Sequence, residues 1–78
     1  MKIERAKEYF DLGILTDALV RAPYVLHKGW TVEVSGNTGN ASPSIETVRG
    51  QVREWSSLDS AARAVRAIGF RSFRVITD

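Results

Sequence analysis

A helix running from Ser57 to Ile68 and feeding straight into a strand is the most sharply marked feature of the chain, and it fixes the kind of fold that can form around it. Ser56 or Ser57 can accept a hydrogen bond from the first free backbone N–H groups, the spacing Ser56-Ser57-Leu58-Asp59 resembles a capping box, and Asp59 faces the positive end of the helix dipole. Leu58, Ala61, Ala62, Val65 and Ile68 then recur at offsets of three and four, which gathers them into one apolar stripe and leaves Arg63 and Arg66 outside it. Gly69 supplies the stop. The next segment, Phe70 to Thr77, is rich in aromatic and β-branched residues and reads as one strand returning to a sheet. A helix with an apolar stripe followed at once by a strand requires a sheet for the strand to join and for the helix to cover, which is an α+β arrangement.

The rest of the chain supplies the other elements. Ile3, Ala6, Tyr9 and Phe10 fall at helical spacing between Lys2 and Leu12, ahead of Gly13. Asp17 to Ala22 reads as a strand ended by Pro23, which cannot donate to a ladder. In Trp30-Thr31-Val32-Glu33-Val34-Ser35 the alternation places Trp30, Val32 and Val34 toward the core and the other three away from it. Gly36 to Pro43 is a run of turn formers, Asn40 among them, and predicts an exposed loop. Ile45 to Trp55 alternates imperfectly about Gly50, which suggests a bulge, a bend or a tight turn dividing the segment, and one bent strand is the preferred reading. The expected order is α-β-β-β-α-β: a mainly antiparallel four-stranded sheet with both helices on one face, in a single domain spanning residues 1–78. The helix between the third and fourth strands would permit those two to lie parallel.

Several functions are disfavoured by composition. The 78 residues hold no Cys and one His, so thiolate nucleophiles, disulfides and thiolate metal sites are excluded, and His27 is left as the sole imidazole for acid–base work. His27 precedes Lys28-Gly29 in an expected turn and reads first as an exposed ring with no structural duty. The acids and His27 do not recur at ligand spacing, so no metal is expected. Gly36-Asn37-Thr38-Gly39 lacks the following Lys-Ser or Lys-Thr of a phosphate loop and reads as a hairpin connection, so no cofactor is expected. No apolar run reaches the roughly 18 residues of a membrane span and the first residues are charged, which points to a cytoplasmic chain that contacts no membrane.

Charge is where a binding surface is visible. Residues 1–40 carry five basic and five acidic groups, whereas residues 41–78 carry six arginines against four acids. Arg49 and Arg53 fall on the bent strand, Arg63 and Arg66 on the second helix, and Arg71 and Arg74 on the last strand. These six are the candidate partner-binding residues, since guanidinium forks pair with carboxylates and phosphates and stack on aromatic rings. Interleaved Glu46, Glu54 and Asp59 suit a mixed-charge protein surface better than bare phosphate. Trp30 and Trp55 read as core or core-edge residues, whereas Tyr24, beside Pro23, is the candidate aromatic anchor of an interface.

In element order the chain resembles the double-stranded-RNA-binding fold and the HicA-type RNase toxins. It carries Ser56-Ser57-Leu58-Asp59 where the former has a lysine cluster, and His27-Lys28-Gly29 differs from the Gly-Ser-His context of the latter. Across Arg5-Ala6-Lys7-Glu8-Tyr9-Phe10, Val20-Arg21-Ala22-Pro23, Gly29-Trp30, Arg49-Gly50, Arg53, Ser57-Leu58-Asp59-Ser60-Ala61 and Ile68-Gly69-Phe70 it is similar to small accessory proteins of phages, plasmids and integrated elements. That resemblance implies action by binding without catalysis: docking on a host protein or nucleoprotein complex, with an anti-CRISPR inhibitor as the most concrete form. The alternatives are a nucleic-acid-binding partition or regulatory factor and a small RNase toxin using His27. An uncovered edge strand would also allow a homodimer.

Overall fold

A computed structural model describes residues 1–39 and 41–77, so the part of the predicted loop at Asn40 lies outside the described residues. Its elements are α1 (Ile3–Asp11), β1 (Leu15–Arg21), β2 (Thr31–Gly36), α2 (Leu58–Ile68) and β3 (Arg74–Ile76). The strands form one mixed sheet in the order β2-β1-β3, with β2 antiparallel and β3 parallel to β1. The α+β class is as expected, but the sheet has three strands rather than four and is not mainly antiparallel.

The missing strand is the segment from Ile45 to Trp55. Gly50, at φ +89°, sits in a tight turn in which Thr47 N–H donates to the Gln51 carbonyl (2.7 Å) and Gly50 N–H to that of Thr47 (2.9 Å). The chain therefore doubles back on itself, Glu46 bridging Val52, instead of continuing along β2. It touches β2 and the residue just before it only at isolated points. Ile45 N–H donates to the Val32 carbonyl, and Trp30 and Trp55 exchange both backbone bonds at 2.8 Å. Pro43, with no N–H, accepts from Val34 and gives nothing back. Ile45 and Trp55 are still delivered to the core, where Ile45 is fully buried.

Strand β1 begins earlier than its alternation suggests because of a bulge. Leu15, Ala18 and Val20 are all buried, and three residues at those positions share one face only if an extra residue intervenes. The ladder supplies it: Leu15 opposes Gly36 and Asp17 opposes Ser35, leaving Thr16 unmatched. Val20 then faces Val32, and Ala18 faces Val34. Against this side pack both helices, through Ala6 of α1 and Ala61 and Val65 of α2. Phe10 and Phe70 close one end edge to face, with centroids 4.7 Å apart.

The start of α2 is Ser57, and its capping partner is Ser60 rather than Asp59. Ser57 Oγ accepts from Ser60 N–H (3.1 Å) while Ser57 N–H donates to Ser60 Oγ (3.3 Å), so two free donors are satisfied reciprocally. Ser57→Ala is expected to cost about 1 kcal/mol. Thermal unfolding followed by circular dichroism should show a midpoint lower by about 4–8 °C. Beyond Gly69 only Arg74–Ile76 join the sheet, fewer residues than the β-forming run Phe70–Thr77 offers.

Candidate functional site

The turn between β1 and β2 is built on a clamped base and ends in an apolar tip. Ala22 N–H donates to the Ile76 carbonyl, holding β1 in the sheet up to Pro23, which breaks the ladder. Tyr24 N–H then donates to the His27 carbonyl (2.9 Å) and His27 N–H to that of Tyr24 (3.0 Å), which closes a two-residue turn with Val25 and Leu26 at its corner. Among the described residues no non-glycine residue has positive φ, so this is not the Asn-Gly type of hairpin turn, and a β-branched residue fits it without strain. Val25 is 101% and Leu26 76% exposed. Either side chain would gain roughly 1.5–3 kcal/mol by leaving water, and the fold takes none of it from Val25 and little from Leu26.

The base is fixed by a chain of contacts. Arg21 Nε donates to Glu33 Oε2 (3.2 Å) while its guanidinium lies 5.7 Å from the Tyr24 ring centroid. Tyr24 meets His27 edge to face at 5.6 Å, and His27 Nδ1 lies 3.2 Å from Glu54 Oε2. The other oxygen, Glu54 Oε1, accepts the Gly29 N–H at 2.9 Å. Glycine is required there, because a Cβ would lie 2.8 Å from Glu54 Cβ and 2.9 Å from the Trp55 carbonyl oxygen. His27 is thus tethered and half-buried, not the free turn imidazole that its neighbours in sequence suggest. Its pairing with Glu54 resembles the base-and-orienter half of a catalytic triad, but among the described residues no hydroxyl hydrogen-bonds to its ring.

Next to this turn lies the sheet face that the helices leave open. Side chains at paired positions point the same way, so Glu33, Leu19 and Arg74 form one row and Thr31, Arg21 and Ile76 the next. Asp17 and Ser35 form a third. The face is of mixed charge with Leu19 at its centre. Thr31 points to this side but is buried, with Arg21 on one flank and, across the Trp30–Trp55 bridge, Glu54 on the other. At the far end, where β3 no longer accompanies β1, a shallow cleft of about 280 Å³ is lined by Thr16, Asp17, Ala18, Ser72, Phe73 and Arg74.

The six arginines do not converge on this site. Arg49 is on the turn after Thr47, and Arg53 follows it with its guanidinium 5.2 Å from the Trp55 ring centroid. Arg63 and Arg66 lie exposed on α2, in the helical layer. Arg71 lies between α2 and β3. Arg74 is on β3, across β1 and β2 from the segment that carries Arg53, a separation of roughly 14 Å at about 4.8 Å per strand. Among the described residues none of the six has a carboxylate within salt-bridge distance, whereas Arg5 and Arg21 do. No three His, Cys, Asp or Glu side chains among the described residues cluster as metal ligands would. Among the described residues no helix is long and apolar enough to cross a membrane.

Of the sequence-derived candidates, Tyr24 joins the base of the tip and Arg74 the open face. Val25, Leu26 and the His27–Glu54 contact are additions from the structure. Two apolar residues between Pro23 and Lys28-Gly29 were the available signal for the tip, because a turn so bounded gives them no core to enter. No protein-family model, curated protein or solved structure matches this chain.

Proposed function

We propose that the protein acts by docking, without catalysis, on a protein surface, with Val25 and Leu26 inserted into an apolar pocket of the partner and the mixed-charge sheet face lying against its rim. The observation that carries this reading is the exposure of both side chains on a base held by Arg21, Glu33, Tyr24, His27 and Glu54. A rigid apolar tip binds with little loss of conformational freedom, which is the economy an interface anchor needs. The resemblance to accessory proteins of mobile elements gives the partner as a host protein or nucleoprotein complex, an anti-CRISPR type of inhibition being the most concrete case.

The test is capture from nuclease-treated bacterial lysate on the immobilised chain at about 0.5 M salt, where only charges within a few ångströms still interact. A stoichiometric protein partner retained under those conditions is the expected result. Retention of none would remove the reading.

A second reading, nucleic-acid binding, is favoured by the six arginines, none of which has a carboxylate partner among the described residues. It predicts a mobility shift with nucleic acid at low salt, with affinity falling steeply as salt rises, about 10³-fold or more between 50 and 200 mM for a site contacting six phosphates. The dispersal of the arginines over both sheet edges and the helical layer argues against one continuous phosphate track. Absence of any shift at low salt would exclude it.

A further inference from the structure

The outer edge of β3 is a strand edge with its hydrogen-bonding groups unused, and its sequence is self-complementary. In a parallel pair, alternate residues direct both N–H and C=O toward the same neighbour. Ala22 N–H donates to the Ile76 carbonyl, so Ile76 and Arg74 face β1, and Val75, with Phe73 and Thr77 on either side, faces outward. Among the described residues nothing pairs with that edge. Some of the usual protections of an edge strand are also missing, although β3 is short and carries Arg74. No proline, lysine or bulge lies between Phe73 and Thr77, and Val75 is 39% exposed although its register partner Val20 is fully buried. The β-forming run Phe70–Thr77 is longer than the three residues β1 takes up.

We infer that β3 pairs antiparallel with β3 of a second copy about a twofold axis at Val75, joining two sheets into one of six strands. In this register Val75 meets Val75 of the other copy, and Phe73 meets Thr77, so all three outward residues exchange bonds, about six in total. Arg74 stands across from Ile76. Sliding the pair by two residues toward the N-terminus would set Arg74 against its own copy, a like-charge contact, and sliding by one would set every outward N–H opposite a residue whose own N–H and C=O face β1. The two Val75 side chains emerge on the helix-covered side, so each covers the exposed part of the other and the cores become continuous. The surface is separate from the Val25–Leu26 tip, which lies on another loop.

Sedimentation of the full chain at micromolar to millimolar concentration tests the pairing, since the dimer must follow mass action. A mass rising to twice that of the chain is expected, and a monomer throughout overturns the inference. Val75→Pro removes an N–H that β1 does not use, a substitution that edge strands accept. With its circular dichroism spectrum unchanged, V75P should remain monomeric at every concentration, and a V75P dimer as tight as the original rejects the register. If V75P fails to fold, Val75→Lys gives the reading. It sets two ammonium groups face to face and should weaken the dimer by about tenfold or more, while an unchanged dimer again rejects the inference.

Discussion

Gly36→Ala should lower stability by about 3 kcal/mol and the thermal midpoint by roughly 12–24 °C. A Cβ on Gly36 would overlap the Ile14 carbonyl oxygen and lie 2.8 Å from Thr16 N and 3.0 Å from Leu15 Cα. All three are backbone atoms, so no rotamer change relieves the contact. They are also the atoms of the bulge, and the Ile14 carbonyl already accepts from Asn37 N–H at 2.8 Å. Separating the strands enough to admit the methyl undoes the slip that turns Leu15 inward, and the burial of one leucine is worth roughly 1.5–3 kcal/mol. A chain of this length has a total of about 4–12 kcal/mol to lose from. Gly39 is the control. It has φ +71° and nothing within 4 Å of its would-be Cβ, so Gly39→Ala should cost only the backbone term of about 1 kcal/mol. Equal losses in urea unfolding of the two variants would refute the steric account.

The bulge also marks where sequence reasoning ends. Both helices and β2 were legible because their signals are local: a stripe at offsets of three and four, a serine ahead of it, a glycine behind it, or strict alternation. The core assignment of Val32, Val34, Ala61 and Val65 follows from those patterns and holds. Pairing is not local. Leu15 and Ala18 are out of step by one for an unbroken strand, a mismatch that becomes interpretable only when Gly36 is seen opposite it. The same limit left the turn at Gly50 undecided against a bent strand. A glycine within imperfect alternation is consistent with a bend or a reversal, and the choice depends on whether β2 or the segment itself offers the nearer partner. In the candidate site, Tyr24 was visible because an aromatic beside proline at a strand end has nowhere to be buried. Arginine spacing showed which elements carry charge but not that β1 and β2 would stand between Arg53 and Arg74.

Replacing Val25 and Leu26 together with serine is expected to weaken binding of the captured partner by about 100-fold or more, since a buried apolar anchor is worth about 2 kcal/mol and two neighbours fall short of additive. The same pair should leave stability within about 0.5 kcal/mol, because both side chains are already in water and serine suits a turn. This separation of binding from folding distinguishes the tip from its base. Tyr24→Ala removes the ring that joins Arg21 to His27, so it should loosen the turn as well as weaken binding. Charge reversal at Arg63 and Arg66 provides the opposing case, because both are exposed on α2 in the helical layer, outside the tip and its clamp. Titration of each variant against the partner by calorimetry decides between the surfaces. If the serine pair binds like the unaltered chain while the reversed arginines lose affinity, the docking tip is wrong and the charged helical face is the interface. If the serine pair alone fails, the exposed Val25 and Leu26 account for the binding, and the clamp of Arg21, Tyr24, His27 and Glu54 accounts for why a turn so costly to leave in water is held ready.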